Sequence, residues 1–174
     1  MKYLRGRKVN QLDVADDFHE AYQRCFIGDR EERIVAIPAF MNGFFACELY
    51  FKILTDNTVK GHDLHLLFSS LCDNEKRILE NQYTKISVGY LSFDDFLRKV
   101  SNGFEFWRYI YENNNKPFEK HYPFLYSEKF LPTFLPLLKV MASEHVSMQK
   151  DKGASRKKSS VDVSYPDTSS HLTD

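Results

Sequence analysis

The sequence is short of residues that break helices and of residues that cross-link chains. Its 174 residues include 7 Gly, 6 Pro and 3 Cys. So few breakers leave long stretches free to be helical. The cysteines, Cys25, Cys47 and Cys72, are odd in number, widely spaced and without a CxxC pair. That argues against a disulfide framework and a structural zinc site, and it fits a reducing compartment. Neither sign of charge is in excess: 24 Lys and Arg balance 24 Asp and Glu. A protein drawn to nucleic acid or anionic lipid over long range carries a basic surplus, so any polyanion contact here must be local. A clean apolar span is missing too. The most apolar stretch, residues 34–54, contains Pro38, Asn42, Glu48 and Lys52. It reads as the buried helix of a cytoplasmic protein, and no membrane contact is expected. The basic N-terminus leads into no apolar run, so it does not read as a signal peptide. P-loop, GxGxxG, GxSxG, HExxH and EF-hand patterns are all absent from the sequence. Neither a cofactor nor a metal is expected.

What is present is a core. Hydrophobic residues make up 43% of the chain and aromatic residues 15%, which suits one packed domain. Leu12, Ala15, Phe18, Tyr22 and Phe26 recur at helical spacing and predict a helix over residues 9–25. Phe40, Phe44, Cys47, Phe51 and Leu54 form one stripe, and Met41, Phe45 and Leu49 a second. They predict a central helix from Ala36 to Leu54, with Pro38 tolerated in its first turn and Asn42-Gly43 inside it. A short helix over 62–71 and another over 73–86 follow. Ser92 then caps a long helix with the stripe Phe93, Phe96 or Leu97, Val100, Phe104, Trp107 and Tyr111. A last helical region over 123–146 carries Pro132 and Pro136, where a break or kink is expected. From Lys150 the apolar period stops. The expected organisation is a helical domain over 1–149 and a flexible polar tail over 150–174. The fold class is all-α, an antiparallel bundle of four or more helices with short additional ones.

Four groups of residues could carry chemistry. Glu48 and Lys52 lie four apart in the favourable acid-before-base order, either as an ordinary ion pair or as an enclosed one. In Lys60-Gly61-His62-Asp63-Leu64, Gly61 supplies loop freedom and His62 or Asp63 can cap the next helix. His62 and His65 are three apart, but no carboxylate at ligand spacing supports a shared metal. Arg108 is bracketed on its helix face by Glu105 and Glu112. It is either a surface ion-pair partner or an Arg held ready for a phosphate, with Tyr109 beside it for stacking. The run Ser155-Arg156-Lys157-Lys158-Ser159 either solubilises the tail or touches nucleic acid.

Three of these stretches together resemble HEPN-domain proteins. Residues 39–54 are similar to that family's second helix, with an Asn, a run of small and aromatic residues, Glu48-Leu49 and Lys52 in order. Residues 60–64 resemble the Gly-His-Asp-Leu segment that opens the next short helix, and residues 104–112 resemble a later long helix of one bacterial subgroup. The resemblance spans residues 40–111. It implies a helical bundle, a homodimer, and a role in bacterial toxin–antitoxin or phage-defence systems. Active members are metal-independent RNases with an Arg and a His separated by four to six intervening residues. The Arg steadies the phosphate and the His moves the proton. Here Arg108 occupies the Arg position, and the His positions hold Asn113, Asn114 and Asn115. Asn bonds a phosphate but exchanges no proton near neutral pH.

The expectation is therefore a HEPN-like protein without the nuclease dyad, binding RNA, a nucleotide or a partner. That partner would be an antitoxin or a nucleotidyltransferase-like protein. Arg108, Tyr109, Asn113 and Asn114 would contact phosphate, and Glu48 and Lys52 would orient the central helix. The first alternative is a divergent RNase pairing Arg108 with His121 or His62. The second is a purely structural interaction protein.

Overall fold

A computed structural model describes residues 10–25, 36–86, 91–101, 104 and 127–159. Among these residues every regular element is a helix: α1 (Gln11–Cys25), α2 (Ala36–Leu54), α3 (Leu64–Ser69), α4 (Asp73–Ile86), α5 (Phe93–Val100) and α6 (Ser127–Ser159).

Local chemistry sets several starts. Asn10 accepts the Asp13 N–H at 2.9 Å. Asp63, not His62, caps α3 by accepting the Leu66 N–H at 3.0 Å. The Cys72 N–H donates to Glu75 Oε2 at 3.1 Å, which satisfies a donor at the start of α4. Ser92 caps α5 by accepting the Asp95 N–H at 3.1 Å. Each such bond satisfies one of the N–H groups that a helix start leaves unpaired.

Helix α2 is the centre of the core. Phe44, Ala46, Cys47, Tyr50 and Phe51 are wholly buried, while Met41, Phe45 and Leu49 of the second stripe are half-buried. By length and composition the Ile37–Leu54 window could cross a membrane, but 61% of it is buried inside this fold. Contacts fix the directions of its neighbours. Phe18 meets Phe45 edge-on, and Asp16 and His19 meet Tyr50, so α1 runs antiparallel to α2. Gly43 faces Leu131, Phe44 stacks on Phe130, and Asp56 just past α2 meets His145, so α6 runs parallel to α2. Asn42-Gly43 lies within the helix. A Cβ at Gly43 would sit 2.7 Å from Leu131 and 3.0 Å from Tyr22, so the absent side chain lets three helices close up.

The other half of the core is aromatic. Phe130 and Phe134 of α6 stack at 4.5 Å and meet Phe93, Phe96 and Tyr83 from α5 and α4. Each fully buried Phe or Leu contributes about 1.5–3 kcal/mol. Trp107 and Tyr111 of the expected α5 stripe lie outside the described residues.

Helix α6 differs from expectation at two places. It runs unbroken through Pro132 and Pro136. Both prolines are exposed, so the carbonyls that lose their N–H partners, four residues earlier, lie on the solvent-facing side. It also continues to Ser159, ten residues past the boundary that composition suggests. Only Gly153 opposes helix there, and cations near a C-terminus favour one.

Candidate functional site

The site begins with a carboxylate in an apolar helix. Glu48 faces inward from the middle of α2, and its side chain is 1% exposed. A charge in such a place is costly unless it is paired and hydrogen-bonded. One turn later Lys52 reaches back, and its Nζ donates to Glu48 Oε1 at 2.6 Å. The second partner arrives through the turn that follows α2. The Thr55 N–H returns to the Phe51 carbonyl and the Asn57 N–H to the Lys52 carbonyl, which closes the helix end. Asp56 and Asn57 take left-handed backbone at φ 52° and 56°, a conformation that short polar residues tolerate. Gly61, at φ 97°, uses the freedom that only glycine has without strain. These reversals carry His62 back onto α2. Its Nδ1–H donates to Glu48, 2.9 Å from each carboxylate oxygen.

Glu48, Lys52 and His62 thus meet at one point. The carboxylate is sealed, the Lys side chain is 18% exposed and the His side chain 49% exposed. With Nδ1 donating to the carboxylate, the outward Nε2 of His62 accepts when the ring is neutral and donates when it carries a second proton. The cluster therefore offers a cation and an oriented imidazole on an anchored base.

The segment that delivers His62 is itself clamped. The Ser101 hydroxyl donates to Asp63 Oδ1 at 2.7 Å, and the His65 N–H lies 3.4 Å from the Ser101 oxygen. Burial alone would raise the Asp63 carboxyl. Hydrogen bonds from Leu66, Ser101 and His65 outweigh it and hold Asp63 below the usual carboxylate range. His65 does not join His62: its Nε2–H donates to Asp94 at 2.8 Å, and Arg98 donates to the other Asp94 oxygen at 2.8 Å. Among the described residues, no group of three or more His, Cys, Asp or Glu side chains is placed to hold a metal ion.

A second polar cluster crosses three helices and escaped the sequence reading. Tyr50 of α2 donates to Asp16 Oδ1 of α1 at 2.7 Å. The buried His19 lies with Nδ1 3.3 Å from the Tyr50 hydroxyl, to which it donates. Lys139 of α6 holds the other Asp16 oxygen at 3.0 Å. Burial, then the Lys139 charge, push His19 below its ordinary value against the opposing pull of Asp16. Burial, then the hydrogen bond to Asp16, push the Tyr50 phenol up. The signal in the sequence was the spacing of Ala15, His19 and Tyr22, which puts a histidine on a buried face. The cluster is a satisfied tie between helices.

A third cluster closes the far end of the bundle. His145 and Gln149 of α6 both donate to Asp56, the first at 2.9 Å. They border a cavity of about 460 Å³ with Ile53, Asn57 and Lys150. The hydrogen bond from His145 is the main cause that holds Asp56 below the usual carboxylate range.

Of the residues expected from sequence, the structure brings Glu48, Lys52 and His62 together. Arg108, Tyr109, Asn113, Asn114 and His121 lie outside the described residues. No family model, curated protein or solved structure matches the chain.

Proposed function

We propose that this is a HEPN-like helical protein that binds the phosphate groups of RNA or a nucleotide without cleaving them. In this reading it is a homodimeric component of a bacterial toxin–antitoxin or phage-defence system. One observation carries the proposal: the two segments that resemble HEPN proteins in sequence, around Glu48 and around His62, meet through a buried carboxylate. The sealed Glu48 holds Lys52 and His62 toward the surface, where the Lys52 ammonium and, in the protonated ring, the His62 Nε2–H can donate to a phosphate oxygen. Arg108, with Asn113 and Asn114, adds the guanidinium and amide contacts. Glu48 positions; it does not touch the ligand.

The test is a binding assay with RNA and, separately, with a mononucleotide, under metal-free conditions. Binding is expected without cleavage, weaker in Lys52→Met and in Arg108→Ala, and weaker with added salt. Absence of binding to either probe contradicts the reading. It leaves a structural interaction protein that joins an antitoxin or a nucleotidyltransferase-like partner.

The geometry of His62 favours one second reading, a divergent metal-independent RNase. A carboxylate at Nδ1 leaves Nε2 free to take a proton from a ribose 2′-hydroxyl. That reading predicts RNA cleavage without metal, abolished by His62→Ala and by Arg108→Ala. Intact RNA after prolonged incubation excludes it.

A further inference from the structure

The chain has no net charge, yet its cations are unevenly placed. Residues 150–159 carry Lys150, Lys152, Arg156, Lys157 and Lys158 against the single Asp151, which leaves the rest of the chain four charges negative. These ten residues are the last part of α6. Among the residues whose burial is described, the last buried one in that helix is Ala142, and Lys150, Asp151 and Lys152 are exposed. The bonds of His145 and Gln149 to Asp56 fix the direction in which the arm leaves the bundle. At 1.5 Å per residue the arm is about 15 Å long.

Such an arm is internally repulsive. Lys152 and Arg156 are four apart, where like charges destabilise a helix. The carboxyl-end dipole offsets part of that, and a polyanion laid along the arm would offset the rest. Charge selects the partner class, and composition narrows it. Between Lys150 and Ser159 only Ala154 and Gly153 are non-polar, so the arm has no apolar face to seat in a bilayer. An arm of about 15 Å matches about four phosphates at ~3.4 Å per strand residue.

We infer that residues 150–159 form a helical grip for RNA, sequence-independent and electrostatic, which adds to the contact made at Lys52 and His62. The inference rests on the RNA reading above, and one experiment separates the two. The full chain and a variant with Lys150→Gln, Lys152→Gln, Arg156→Gln, Lys157→Gln and Lys158→Gln are titrated against fluorescein-labelled poly(U) of about 20 nucleotides. Anisotropy is read from 50 to 200 mM salt, and circular dichroism checks that both remain equally helical. About four single-strand phosphate contacts predict a log–log salt slope shallower by about 3 in the variant. That is an affinity loss about 60-fold smaller across the salt range. An unchanged slope overturns the grip and leaves the Lys52–His62 reading standing. A full chain that binds no RNA overturns both. Binding to phosphatidylserine vesicles through the same five cations, with no binding to poly(U), assigns the arm to a membrane and overturns the grip.

Discussion

Helix α2 is buried along most of its length and carries one charged point in its middle. Helix α6, parallel to it, has one buried face between Phe130 and Ala142 and carries most of its charge beyond that core. In α2 the Glu48 carboxylate had to be answered by partners from its own chain, and it recruits Lys52 from one turn away and His62 from the following turn. Past that core, Lys150, Asp151 and Lys152 of α6 are exposed, so water can answer their charges and no partner within the bundle has to. Enclosed charge makes a fixed site, and exposed charge makes a surface that a partner can occupy.

Substitutions can sharpen or break that contrast. The largest effect is expected at the contact between the two helices. Gly43→Leu drives a side chain into Leu131 and Tyr22, and should cost about 3 kcal/mol in a urea melt. A loss under about 1 kcal/mol would mean that the helices are not so closely packed. Lys52→Met comes next, at about 2 kcal/mol. A fully buried pair loses about 3–5 kcal/mol when broken, but Lys52 reaches solvent and His62 stays on the carboxylate.

A pH profile tests the second enclosed cluster. His19 is held below the ordinary histidine value of about 6.5, so the unfolded chain binds more protons as pH falls. Stability should decline on acidification through about pH 6.5, and His19→Gln should flatten that part of the curve. A further decline should follow at lower pH. There Asp56, Asp63 and Asp94, all held below the usual range, take up protons and lose the stability that they contribute at higher pH. The smallest effect belongs to the arm. Its five Lys/Arg→Gln changes should move stability by less than about 0.5 kcal/mol. A larger loss would make the arm part of the bundle and erase the contrast.

The parts legible in the sequence are those set by local spacing. Apolar periodicity places α2 at Ala36–Leu54, and Ser92 announces α5. The Glu48–Lys52 pair follows from a four-residue step. His62 on Glu48 was not legible, because it depends on left-handed backbone at Asp56, Asn57 and Gly61 together. The Asp16–Tyr50–His19–Lys139 tie joins three helices, and no local pattern encodes which faces meet. The parallel pairing of α2 and α6 depends equally on the path between them. The helical arm was missed because composition registers the loss of an apolar face, and a helix needs none to persist.

The central claim is that Glu48 holds His62 and Lys52 out for a phosphate. The ring resonances of His62, assigned with a His62→Gln variant and followed by NMR during titration with a short RNA and with a mononucleotide, test it most directly. The account predicts that these resonances shift saturably with at least one of the two probes, that Lys52→Met weakens the response, and that the RNA stays whole. His62 resonances that do not move at saturating concentrations of either probe would contradict it.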